Sequence, residues 1–92
     1  MVEARIEWIK YENGGRKVIP PEGEKIYPMI MLENEGLIPW SFWLKNKTFL
    51  GNFTTLAEMD FLLENAPHDR LISGKEFSLY EGKKKIALGK IV

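Results

Sequence analysis

The sequence has no cysteine, a single histidine and no net charge, and each of these absences removes a class of function. Without cysteine there is no disulfide and no thiolate metal site, so the fold must stand on packing alone. The same absence fits a reducing compartment. Thirteen Lys and Arg against thirteen Asp and Glu give a formal net charge of zero, so no global field pulls the chain toward phosphate or anionic lipid. Nucleic-acid binding would therefore need a local patch. The apolar run from Ile26 to Leu32 is far too short to span a bilayer, and Met1-Val2-Glu3-Ala4-Arg5 is not the basic start of a signal peptide. The expectation is a soluble, cytoplasmic protein with no membrane contact.

Catalytic groups are equally sparse. His68 stands beside Asp69 and near Ser73, but all three fall in one loop with no nucleophile elbow. A lone histidine with no cysteine leaves carboxylates as metal ligands, and no suitable spacing of them is present. No enzyme activity and no cofactor are expected.

What is present is an ordinary globular balance, with 45% hydrophobic and 28% charged residues, enough for one small domain over residues 1–92 with one core. The C-terminal third organises it. Phe77 and Leu79 alternate with polar neighbours, Glu81-Gly82 punctuates, and Ile86 and Leu88 resume the alternation, which predicts two antiparallel strands around a tight turn with Gly82 at positive φ. At the other end, Val2, Ala4, Ile6 and Trp8 alternate with Glu3, Arg5 and Glu7 as a half-buried strand. Asn13-Gly14-Gly15-Arg16 and Pro20-Pro21-Glu22-Gly23 then impose a long structured loop.

Pro28 belongs at an edge, a bulge or a strand start within the run that ends at Leu32. Asn34-Glu35-Gly36 turns the chain into an aromatic strand from Leu37 to Leu44, in which Ile38, Trp40, Phe42 and Leu44 share a face if Pro39 introduces no slip, with Trp43 pointing the other way. Lys45-Asn46-Lys47 and Leu50-Gly51-Asn52 read as turns. Thr54 to Leu63 reads as a strand with Ala57, Met59, Phe61 and Leu63 on one face, in preference to a helix of its good helix formers. Short strands and Gly/Pro turns predict an all-β protein, a sandwich or a closed barrel rather than a helix-covered open sheet, and closure would also hide the sheet edges.

Two separated stretches carry a family likeness: Glu12-Asn13-Gly14-Gly15-Arg16 followed by Gly23, and Gly74-Lys75-Glu76-Phe77 with Glu81-Gly82 and Gly89. Together they resemble the third, C-terminal domain of elongation factor Tu and related translational GTPases. The resemblance implies a six-stranded antiparallel Greek-key β-barrel, here as a free-standing domain. No Gly-x-x-x-x-Gly-Lys-Ser/Thr occurs, so the chain lacks the means of GTP hydrolysis.

In that family the barrel contacts the tRNA backbone and protein partners, and matching positions can be read across. Lys25 stands where the family has an RNA-facing arginine, which keeps charge without the bidentate fork. Tyr27 replaces a polar amide, Glu81 and Gly82 match the turn that approaches RNA, and Lys83, Lys84 and Lys85 stand where Gly-Arg-Thr is usual. The candidate partner or RNA-binding set is thus Arg16, Lys25, Tyr27, Trp43, Tyr80, Glu81, Gly82, Lys83, Lys84 and Lys85.

Tyr11, Trp40, Trp43 and Tyr80 also offer an exposed aromatic platform for a partner, Trp43 first among them. Each of these features has a plainer reading: the lysines as a solvated turn that discourages edge pairing, Arg16 as a loop tie to a carbonyl or carboxylate, and most of the aromatics as core. The functional expectation is a non-catalytic module that binds a protein, as an immunity or antitoxin-type mimic would. The alternative is a tRNA- or RNA-binding module. Oligomeric state is left open.

Overall fold

A computed structural model describes residues 1–32, 40–66 and 68–92. Seven strands form: β1 (Val2–Trp8), β2 (Lys25–Ile26), β3 (Met29–Leu32), β4 (Trp40–Gly51), β5 (Thr54–Phe61), β6 (Glu76–Glu81) and β7 (Lys84–Ile91). The described residues contain no α-helix, only 3₁₀ turns at Tyr11–Asn13 and His68–Arg70. Six strands close a ring, each hydrogen-bonded antiparallel to the next in the order β4, β3, β6, β7, β1, β5 and back to β4. Consecutive strands β3, β4 and β5 lie side by side and β6 returns after a long connection to lie beside β3, which is the Greek-key order. The predicted closed six-stranded barrel is the fold; one short strand, β2, lies outside the ring.

β2 pairs with β4 at Ile26↔Leu44 and β3 pairs with it at Met29↔Ser41, so both strands advance three residues across the gap. β2 and β3 are therefore in one register, interrupted at Tyr27-Pro28, where proline offers no N–H to the ladder. The proline precedes a strand start, as its chemistry requires. The turn expected at Asn34-Glu35-Gly36 and the lead-in Leu37-Ile38-Pro39 lie outside the described residues.

Alternation buries one face of each strand. Ala4, Ile6 and Trp8 from β1 meet Phe42 and Leu44 from β4, Ala57, Met59 and Phe61 from β5, and Phe77 and Leu79 from β6 in a single core. Each fully buried large side chain contributes about 1.5–3 kcal/mol. Ala66 and Leu71, on the connection from β5 to β6, join the same core. Phe77 is seated by its cross-strand partner Gly89, where a Cβ would stand 2.2 Å from Phe77 Cζ.

Three expectations are corrected. Lys45-Asn46-Lys47 is strand rather than turn: β4 runs through it, and a bulge between Asn46 and Thr48 leaves Lys47 without an opposite residue on β5. In β7 the pairings Leu79↔Ala87 and Tyr80↔Lys85 leave Ile86 as an extra residue. Ile86 and Ala87 are consequently both buried, and Leu88 points out at 45% exposure instead of sharing the inner face. Leu63 is exposed because β5 ends at Phe61.

Asn46 explains why the polar stretch stays in the strand. The residue is fully buried, its side-chain amide donates to the Pro20 carbonyl at 2.8 Å, and its Oδ1 accepts from the Thr55 hydroxyl at 2.7 Å. Thr55 in turn accepts from the Trp8 indole N–H at 2.8 Å. The chain of bonds crosses β1, β5 and β4 and ends on the long loop, and the Asn46 carbonyl also takes the Gly23 N–H at 2.9 Å. A polar residue inside a barrel is tolerable when its groups are paired in this way.

Thr55→Val keeps the shape but leaves the Trp8 N–H and Asn46 Oδ1 buried without partners. It should cost about 2–4 kcal/mol, read as a lower urea midpoint at unchanged slope. Thr55→Ser should retain most of the stability. Equal midpoints for Thr55→Val and the wild type would show that the bonds do not hold the barrel.

Candidate functional site

One end of the barrel gathers four pieces of chain: the close of β1, the loop that follows it, and the tips of the β4–β5 and β6–β7 hairpins. Backbone bonds fix them together, from Trp8 N–H to the Phe53 carbonyl at 2.8 Å and from Ile9 N–H to the Ile86 carbonyl at 2.9 Å. The loop then doubles back sharply. Asn13 and Gly15 both donate to the Lys10 carbonyl at 2.9 Å, and a Cβ on Gly15 would stand 1.7 Å from the Ile9 carbonyl oxygen. Glycine is therefore required there by close backbone approach.

The reversal brings Arg16 to the β6–β7 hairpin, where its Nη1 lies 3.4 Å from Glu81 Oε2. This agrees with the plainer expectation for Arg16, a loop tied by a carboxylate. The same Nη1 atom is buried and has no hydrogen-bond partner. Glu81 pairs with Lys84 across the two-residue turn Gly82-Lys83, and Gly82 has φ 63° as the sequence predicts.

The structure unites only part of the candidate set. Arg16, Glu81, Gly82, Lys83 and Lys84 share this end, with Lys84 Nζ 5.7 Å from the ring centroid of Tyr11. Lys85 lies 6.0 Å from the Tyr80 ring, and Tyr80 is partly buried on β6. Lys25 is drawn to the outer face of β4, where its Nζ stands 4.6 Å above Trp43. The outward Trp43 is thus half-covered by a lysine of this chain. Tyr27 is 65% exposed at the break between β2 and β3. Trp40 packs edge-on to Phe61 against the core, as its plainer reading holds.

Tyr11, one of the aromatics offered as an exposed platform, is 57% exposed and not core, with Lys17 Nζ at 5.8 Å from its ring in addition to Lys84. Sequence reasoning missed Lys10, Lys17 and above all Phe53. Gly51 pairs with Thr54, so Asn52 and Phe53 form a two-residue turn with φ of 50° and 57°, the pattern of a type I′ hairpin. Glycine is usual at the second of these positions; phenylalanine in left-handed backbone is strained by roughly 1 kcal/mol or more. Its ring is 46% exposed, and Lys10 Nζ sits 5.1 Å from the centroid. The signal was Asn52-Phe53 occupying the slot of an Asn-Gly turn.

Phe53 and Tyr11 flank a cavity of about 290 Å³ whose apolar walls also include Trp8 and Ile19. Lys10, Arg16 and Lys17 bring positive charge to its lining, and Glu12 brings one carboxylate. Such a recess can take an apolar group and pair an attached anion.

The other charged group of note lies elsewhere. His68 Nδ1 approaches Asp60 Oδ1 at 3.3 Å and its Nε2 lies 2.9 Å from the Leu63 carbonyl, so its partners are not Asp69 and Ser73. Burial pushes the Asp60 carboxyl up, but the Phe61 N–H, the Met1 ammonium and His68 outweigh it and hold the group below its ordinary 3.8. Among the described residues, no three His, Cys, Asp or Glu side chains converge as a metal site, and no helix is long and apolar enough to cross a membrane.

Comparison with known proteins adds no relative: no family model, no curated protein and no solved structure matches the chain.

Two outcomes are expected. A carboxylate with a lowered folded pKa stabilises above its unfolded value and loses that contribution as pH falls through the folded one. Stability should therefore decline below about pH 4, and Asp60→Asn should flatten that limb of the thermal-midpoint profile. Superimposable profiles would remove Asp60 from the acid response. Phe53→Gly relieves the left-handed strain, offsetting lost contact of a half-exposed ring, and should keep or raise the melting temperature. A drop of many degrees would mean that the ring is structural.

Proposed function

We propose that this barrel is a non-catalytic macromolecule-binding module whose partner is a protein, docked on the end formed by the loop after β1 and the two hairpin tips. The observation that carries the reading is Phe53, a large apolar side chain kept half exposed on a backbone that disfavours it. Strain of this kind persists where something other than stability selects the residue. Tyr11 beside it is also exposed, and aromatic anchors dominate protein interfaces.

The likeness to the third domain of elongation factor Tu fits this reading. A barrel of that type acting without nucleotide hydrolysis works by occupancy, as an immunity or antitoxin-type protein would by imitating a surface on which its target docks. A tRNA- or RNA-binding module is the second reading, favoured by the three consecutive lysines at the β6–β7 turn. Against it, the chain carries no net charge, and Lys25 lies over Trp43 on the outer face of β4, away from the three lysines of the turn.

Two measurements separate these readings. Capture from lysate by the wild type should recover a dominant protein that Tyr11→Ser fails to recover, while Trp43→Ala, on the outer wall, leaves the yield unchanged. Equal recovery by the wild type and Tyr11→Ser would place docking elsewhere. For RNA, retention of tRNA near physiological salt, abolished by Lys83→Glu with Lys84→Glu, would replace the protein reading.

A further inference from the structure

We propose that the recess between Tyr11 and Phe53 is a peptide-binding site that takes an acidic segment of a partner protein, with an apolar or aromatic side chain in the cavity and flanking carboxylates on Lys10, Arg16 and Lys17. The inference rests on the protein-binding reading above and specifies its ligand chemistry.

Charge complementarity decides the class of occupant. The whole chain is neutral, yet Lys10, Arg16 and Lys17 line the recess and Lys84 stands over Tyr11 at its margin. Glu12 is the one carboxylate in the lining, and Glu81 is already engaged by Arg16. A local cationic excess around apolar walls matches a ligand that is acidic outside and apolar within.

Arg16 supplies a specific contact. Its Nη1 is held 3.4 Å from Glu81, while the side chain as a whole is partly exposed and lines the recess, so the remaining N–H groups of the guanidinium fork can meet a carboxylate of the ligand. A cavity near 290 Å³ lies at the lower end of ligand-site volumes and suits one large side chain.

The ring faces argue for peptide over nucleic acid. Lys10 stands over Phe53, and Lys17 and Lys84 both stand near Tyr11. A base would have to displace an ammonium to stack, whereas a carboxylate can bridge these ammonium groups with the rings still covered.

The test uses an acetylated and amidated five-residue peptide, a central Phe flanked on each side by two Glu, titrated into the isotopically labelled protein. Amide shifts should concentrate at residues 9–19 and at Phe53. Arg16→Gln and Phe53→Gly should each weaken binding tenfold or more, and a peptide with Gln in place of Glu should bind at least tenfold more weakly. Since Phe53→Gly is expected to fold at least as well as the wild type, its loss of binding reports on the site.

Shifts mapped elsewhere, affinity unchanged in Arg16→Gln, or tighter binding of a single-stranded oligouridylate at the same amides would overturn the proposal. A partner captured from lysate equally well by Arg16→Gln and the wild type also overturns it while leaving the binding module intact. Specific peptide binding supports it even where no lysate partner appears, an outcome that counts only against the broader reading.

Discussion

Inside a tube of apolar side chains, the Trp8 indole donates to the Thr55 hydroxyl, which donates to the Asn46 side chain, which donates to the Pro20 carbonyl. Geometry at this chain of bonds is set in both directions. It ties three adjacent strands of the ring to one another and clamps the far end of the loop that builds the candidate site. Because an unpaired polar group in such an interior is costly, a shift of β4 against β5 that broke one bond would leave several groups stranded. The polar chain therefore specifies the register of strands that apolar packing alone holds less selectively.

From that clamp the functional end follows. With Pro20 and Gly23 held against Asn46, and Gly15 pressed onto the Ile9 carbonyl, the intervening loop has little freedom. Arg16 is delivered to Glu81, and Tyr11 comes to stand near Lys17 and Lys84. The opposite wall is the tip of the β4–β5 hairpin, where Phe53 takes a position that chain geometry would give to glycine. Stability and exposure are thus opposed at one residue, and the recess lies beside it.

Much of the barrel was legible because alternation is a local property. β1 and the β6–β7 turn fall where residues Val2 to Trp8 and Gly82 place them, and β5 is strand despite its helix-forming composition, since both of its edges find partners in β1 and β4. Leu88 was misjudged for a physical reason. A bulge at Ile86 exists only relative to β6, and one extra residue sends every later side chain to the other face. Asn46 was likewise opaque, because whether an asparagine belongs in a turn or a core depends on acceptors and donors that lie 26 and 9 residues away in sequence. At the candidate site, Arg16, Glu81 and Lys84 were visible by type, and Phe53 was hidden by its ordinary side chain on an extraordinary backbone.

The sequence by itself determined an all-β chain, most strand positions, the glycine turn at Gly82 and the lack of a phosphate loop, because each depends on neighbours within a few residues. Only the tertiary structure decided which strands close the ring, where the bulges fall, and that Tyr11, Arg16 and Phe53 face one recess. Those outcomes depend on hydrogen bonds and packing between segments tens of residues apart, and a linear pattern carries no record of which segments meet.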